Sequence, residues 1–167
     1  MYTGLAVAMK RRRFRKSIED SLLSVGFVKA GEVLRLEGEE ISTLVGFGKG
    51  FGNQWFVNVG FWIHALGSQC PEKIEKSHMY FRIERIFPNL REIILTSGDL
   101  SDKHQPDALD RLVSHIHGDI GVKLRELTSE GGLRRAMEAG ALTTAGLIRK
   151  EAINYFEARW QESRLGN

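Results

Sequence analysis

Trp55-Phe56-Val57-Asn58-Val59-Gly60-Phe61-Trp62-Ile63 is the stretch that decides the fold. In extended chain, successive side chains point to opposite faces. Trp55, Val57, Val59, Phe61 and Ile63 then make one apolar face, and Phe56, Asn58, Gly60, Trp62 and His64 make the other. A helix would scatter both sets around its axis, so the spacing predicts a strand with Val57, Val59 and Phe61 turned inward.

The same period of two extends outward in both directions. Upstream, Leu34 and Leu36 alternate with Arg35 and Glu37, and Gly38-Glu39 makes a turn. Ile41, Thr43, Val45 and Phe47 then alternate with Ser42, Leu44 and Gly46. Gly46 to Asn53, GFGKGFGN, reads as a flexible connection into the Trp55 strand. Downstream, residues 67–77 read as loop. Tyr80 to Phe87 reads as a strand, with Phe81, Ile83 and Phe87 on one face and Tyr80, Arg82 and Glu84 on the other. Glu92 to Thr96 reads as the last strand. No helix separates these segments, so the sheet is expected to be an antiparallel meander of four to five strands.

Helices flank the strands, which makes the fold class α+β. Phe14, Ile18, Leu22 and Val25 recur at helical spacing and Gly26 follows at the position where a left-handed residue ends a helix. After the sheet, Pro106 suits a first helical turn. Leu109, Leu112, Val113, Ile116, Ile120 and Leu124 form one stripe, weakened by Gly118 and Gly121. Ser129 can cap a short helix carrying Leu133 and Met137 that Gly140 closes. Thr143 or Thr144 can start the last helix, with Ile148, Ala152, Phe156 and Trp160 on one face.

The 167 residues suit one domain, 42% of them hydrophobic and 27% charged, which is enough apolar material for a core without staples. The reading places a flexible extension at 1–8, one α+β domain at 9–162 and a flexible tail at 163–167, with Met1 and Met9 both open as the start. One cysteine, Cys70, excludes an internal disulfide and a cysteine zinc cage. No apolar run approaches the ~20 residues of a membrane helix. The short apolar stretch in MYTGLAVAMKRRR precedes its charges, opposite to a secretory signal, so the expectation is a cytoplasmic protein without a membrane partner.

Charge is unevenly spread. The whole chain carries 24 bases against 21 acids, a net of +3. Residues 1–16 hold Lys10, Arg11, Arg12, Arg13, Arg15 and Lys16 with no acid, so the remainder has 18 bases against 21 acids, or −3. Six cations on two helical turns could contact phosphates, although they oppose the helix dipole and have no stacking aromatic near them in sequence except Tyr2.

Chemistry-bearing motifs are absent. The glycines of Gly46 to Gly52 fall on every second residue and fit neither GxGxxG nor GxxxxGK[ST], and a strand rather than a helix follows. His115 and His117 are two apart, whereas helical metal pairs need i, i+4. His64, His78 and His104 lie in separate segments, and there is no GxSxG elbow. Glu37, Glu39 and Glu40 sit at a turn, where solvation accounts for them. No catalytic, metal or cofactor residue is therefore assigned. On the polar sheet face, Asn58, Trp62, Arg82 and Glu84 could form a partner surface.

The run from Met9 to Pro88 also resembles a known family. A basic amphipathic helix leads to LLSVGFVKAG, a hairpin, QWFVNVGFWI and a strand with YFRIERI. Gly26-Phe27-Val28-Lys29, Phe56-Val57-Asn58-Val59-Gly60 and Arg82-Ile83-Glu84-Arg85 resemble the recurring features of the bacterial family catalogued as domain of unknown function 4304. Val28 departs from the more usual basic residue after Phe27. The resemblance implies the fold, a bacterial cytoplasmic setting and a single domain, and it implies no mechanism. The resulting expectation is a non-enzymatic interaction module, immunity-type or regulatory, that binds a protein partner. The alternatives are a nucleic-acid-associated domain using Lys10 to Lys16, and a small-ligand-binding domain or hydrolase.

Overall fold

The computed structural model describes residues 3–142 and 146–166. The first helix, α1 (Gly4–Ser24), buries Phe14, Ile18, Ser21 and Leu22, a stripe at steps of three and four residues. It ends at Gly26, whose φ of +107° suits a residue without a side chain, and the Phe27 amide returns to the Leu22 carbonyl at 3.0 Å.

Six strands follow the order β1-β2-β3-β4-β5-β6, all antiparallel: β1 (Val28–Ala30), β2 (Val33–Glu37), β3 (Ile41–Lys49), β4 (Trp55–Ile63), β5 (Met79–Arg82) and β6 (Leu147–Ile148). β2 to β5 form the expected antiparallel meander, and β1 adds a three-residue strand that the alternation does not predict. The sixth exceeds the expected count, because the chain returns after its helices to pair Ile148 with Met79 and Leu147 with Tyr80. The central pair is in register from Ile41↔Ile63 to Lys49↔Trp55. This register aligns Val45 with Val59 and Thr43 with Phe61, and Val57, Val59, Phe61 and Ile63 are buried as the alternation predicts.

Among the described residues six further helices follow: α2 (Ile83–Ile86), α3 (Arg91–Gly98), α4 (Gln105–His115), α5 (Gly121–Glu126), α6 (Glu130–Glu138) and α7 (Lys150–Leu165). They join α1 over the inward face of the sheet. There Leu109, Leu112, Ile116, Ile120, Leu124, Leu133, Ala152 and Phe156 close one continuous core. Ser129 caps α6 by accepting the Gly132 amide at 3.0 Å, and Gly140 follows with φ +78°. Gly118 and Gly121 lie where α4 gives way to α5 through the wider turn Ile116–Ile120.

Several expectations need correction. The strand placed at Tyr80 to Phe87 stops at Arg82, because a helical turn buries both Ile83 and Ile86, whereas an extended chain would turn one outward. Glu92 to Thr96 is helix, not strand. α3 buries Ile94 together with Ser97 and Gly98, and Gly98 lets it approach so closely that a Cβ would lie 2.1 Å from the Trp55 carbonyl. The connection placed at Gly46 to Asn53 is half strand, since β3 runs to Lys49 and the turn closes with the Gly50 amide on the Gln54 carbonyl. The extension placed at 1–8 overlaps α1, which starts at Gly4 behind the cap Thr3 and packs Val7 on the core. α7 likewise runs past residue 162 to Leu165. Its expected start at Thr143 or Thr144 lies outside the described residues, and Ile148 belongs to β6.

The outward face is not bare. Residues 64–78 fold back over it and bury Ile74 against Val33 and Leu44, with Trp62, Cys70 and Tyr80 alongside. This second cluster is the fold's outer layer and shapes what the sheet can offer a partner.

Candidate functional site

The four residues expected to form a polar partner surface do not share an exposed face. Asn58 and Arg82 are register partners, but Asn58 is buried while Arg82 is exposed and stacks over Phe56, its guanidinium carbon 3.7 Å from the ring centre. Trp62 stacks on His78 at 3.8 Å between ring centres and donates its indole N–H to the Gly67 carbonyl at 3.1 Å. Glu84 is buried in α2, beyond the end of β5. The cause is the covering loop 64–78, which uses this surface for packing.

The basic helix gains what its sequence lacked. The β3–β4 hairpin folds beside α1, so Phe47 meets Phe14 edge-on at 5.9 Å. Arg15 lies over Phe47 at 5.2 Å and Arg11 over Trp55 at 5.9 Å. Arg11, Arg12 and Arg15 with Phe14, Phe47 and Trp55 line a cleft of about 490 Å³ that has no carboxylate in its wall. At the hairpin tip, between two glycines, Phe51 is 99% exposed.

The six cations are not equivalent. Lys10 Nζ donates to the Leu100 carbonyl at 3.1 Å, and Arg13 faces Asp110 at 3.5 Å. Arg15 pairs with Glu19 at 2.9 Å and Lys16 with Asp20 at 2.8 Å. Exposed pairs of this kind are worth about 0–1 kcal/mol and exchange readily for another anion. Among the described residues, Arg11 and Arg12 have no carboxylate partner.

Ser42 Oγ lies 2.8 Å from His64 Nε2, and His64 Nδ1 lies 2.9 Å from the Glu39 carbonyl, a nucleophile–base–orienter chain. Ser42 is only 1% exposed, so a substrate has no approach to it in this conformation. Burial raises the neighbouring Cys70 thiol above its ordinary value, against the opposing pull of Arg35. His115 pairs with Asp119 at 2.9 Å and thereby lowers the carboxylate's pKa, whereas His117 turns to Ser24. Among the described residues, no three His, Cys, Asp or Glu side chains gather as a metal site would require. No described helix is long and apolar enough to cross a membrane.

The sequence reads Phe47 and Phe51 as anchors or contacts of a hairpin loop and Trp55 as part of a strand face, and does not join any of them to the cations. They lie over thirty positions from the cations, and only the hairpin's length and the helix packing bring the two sets together. No protein-family model, no curated protein and no solved structure matches the chain.

Proposed function

We propose that the chain is a cytoplasmic, non-enzymatic binding module that takes single-stranded nucleic acid on the face built by α1 and the β3–β4 hairpin. The observation that carries this is the cleft in which Arg11 and Arg15 stand over Trp55 and Phe47, with Arg12 beside them and no carboxylate in the wall. Arginine forks suit phosphate, and exposed rings suit unpaired bases whatever their sequence. Phe51 supplies a stacking surface beyond the cleft, and the exposed Lys49 adds a cation on the same hairpin.

The test is an anisotropy titration with a labelled single-stranded oligonucleotide across salt. Four phosphate contacts, by Arg11, Arg12, Arg15 and Lys49, give a log–log slope of about −3 on a single strand. Changing Arg11 and Arg12 to glutamine should flatten that slope by about 1.4 and weaken all sequences alike. Phe51→Ser should weaken binding roughly fivefold or more with an unchanged melting midpoint. A dissociation constant above about 100 μM at 50 mM salt would refute the reading, since non-specific binders of this kind are tighter at low salt.

A second reading keeps the protein partner, and one feature favours it. β2 pairs with β3 only as far as Leu34↔Val45, so β3 has a free edge from Gly46 onward. Strand alternation directs the Phe47 and Lys49 backbone groups to that edge, where an extended peptide can pair. Binding that survives high salt and the arginine changes, yet is lost in Lys49→Pro, would select this reading.

A further inference from the structure

Trp55 and Phe56 are neighbours in β4 and point to opposite faces of the β3–β4 hairpin. Each ring carries an arginine. Arg11 lies over Trp55 at 5.9 Å on the inward face, and Arg82 lies over Phe56 at 3.7 Å on the outward face. Phe56 stands opposite Gly48 in register, and its ring reaches across Gly50, where a Cβ would lie 2.4 Å from Phe56 Cε2. Glycine leaves room for the ring, the ring supports the guanidinium, and Arg82 is exposed. Among the described residues, Arg82 has no carboxylate partner.

Charge decides how the two faces can be joined. Residues 46–58, GFGKGFGNQWFVN, hold one cation and no acid. At the hairpin's base Asp99 pairs by a backbone bridge with Gln54, and its carboxylate accepts the Ser101 amide at 3.0 Å. The short way round, across the β3 edge, passes Arg15 and Phe47 into a cleft that Glu32 and Glu75 also line. Two carboxylates there repel a polyanion. The way round the tip meets Lys49 and the exposed Phe51, and no acid.

We infer that a single strand seated in the arginine cleft continues over the tip of this hairpin and lays a base on the Arg82 guanidinium on the opposite face. The inference rests on the nucleic-acid reading and narrows it. Guanidinium planes stack on unpaired bases, and the same fork suits a phosphate. Side chains on the two faces of a sheet lie roughly 10 Å apart, so the strand must reverse within a few nucleotides. An unpaired strand can do so, whereas a duplex is stiff over about 150 base pairs. The substrate is therefore an unpaired strand of about eight nucleotides or more, a size within the range of single-strand sites on small domains. Shorter strands fill the inward cleft alone.

The experiment compares labelled oligothymidylates, a five-mer and a ten-mer, by anisotropy with the full chain across salt from about 50 to 300 mM. Four phosphate contacts in and beside the inward cleft give the five-mer a log–log slope of about −3, and Arg82 adds one more on the ten-mer, for about −3.5. Arg82→Gln should return the ten-mer to about −3, weaken it roughly fivefold or more, and leave the five-mer unchanged. Arg82→Lys keeps the charge and loses the plane, so the slope should stay near −3.5 while affinity for the ten-mer falls roughly threefold or more. Arg82 is exposed, so both variants should melt with the wild type. Unchanged ten-mer affinity in either variant overturns the inference. An equal loss on both lengths marks a long-range charge effect and overturns it too. If neither oligomer binds the wild type, the nucleic-acid reading falls with it; if both bind and ignore Arg82, this inference falls alone.

Discussion

His78 shows how much one side chain can be asked to do in this sheet. Its Nδ1 accepts the Ile63 amide at 2.9 Å, so the neutral ring carries its proton on Nε2, which faces a Glu151 oxygen at 4.0 Å. The ring is 2% exposed and stacked on Trp62. Burial lowers its pKa below 6.5, with Glu151 opposing and Arg149 assisting. Because protonating Nδ1 would break the bond from Ile63, geometry and electrostatics agree. The sign follows from proton binding. As pH falls through about 6.5 the unfolded chain takes up a proton and the folded chain does not, so stability is lost from there downward and is flat above. One such group contributes at most about 1.4 kcal/mol per pH unit. Urea midpoints from pH 7.5 to 5.5 should fall more steeply in the wild type than in His78→Gln. Parallel lines would assign the loss to another group.

Gly26 is where the element scale begins, since it ends one helix and seats another. With φ at +107° it hosts a conformation that alanine resists, and a Cβ there would lie 2.7 Å from Arg125 Nη2. That guanidinium, from α5, donates to the Val25 carbonyl at 2.7 Å, tying the end of α1 to a helix a hundred residues later. Gly26→Ala should cost more than the ~1 kcal/mol of an ordinary glycine change, because strain and displacement of Arg125 add. Gly26→Ala in an Arg125→Ala background should recover part of the loss; no recovery in denaturant midpoints would separate the two effects. Elements bounded by such local signals were legible in sequence: the Trp55 strand by alternation, α1 by Gly26, and α6 by Ser129. Two kinds of element were not. α2 and α3 carry short isoleucine-rich runs whose periodicity fits a strand or a helix, and packing against β4 decides between them. β6 is two residues long and exists only through its long-range partners Met79 and Tyr80. The site failed for the same reason. The cations of α1 were visible, but their aromatic companions arrive on a hairpin, and the loop that fills the polar face has no periodicity to read.

The whole molecule sets two layers of very different size on one sheet. The inward layer is a continuous core from Phe14 to Phe156, while among the described residues the fully buried apolar side chains of the outward layer are Val33, Leu44 and Ile74. Stability scales with apolar area removed from water, so the outer layer is held far more weakly than the inner one. The expectation is that such a layer opens as its own unit without unfolding the sheet beneath. Cys70, half-buried in that segment, reports on this. Its rate of reaction with a thiol reagent at fixed pH should be nearly independent of urea below the main transition, because local opening exposes little surface. Ile74→Ala should speed the reaction roughly tenfold or more. Its cost to global stability is capped by the free energy that holds the segment closed, for once that is spent the segment simply stays open. The urea midpoint should therefore move less than the 2–5 kcal/mol expected of a fully buried isoleucine in the main core. If Cys70 instead reacts with the urea slope of global unfolding in both proteins, the sheet and its cover unfold as one.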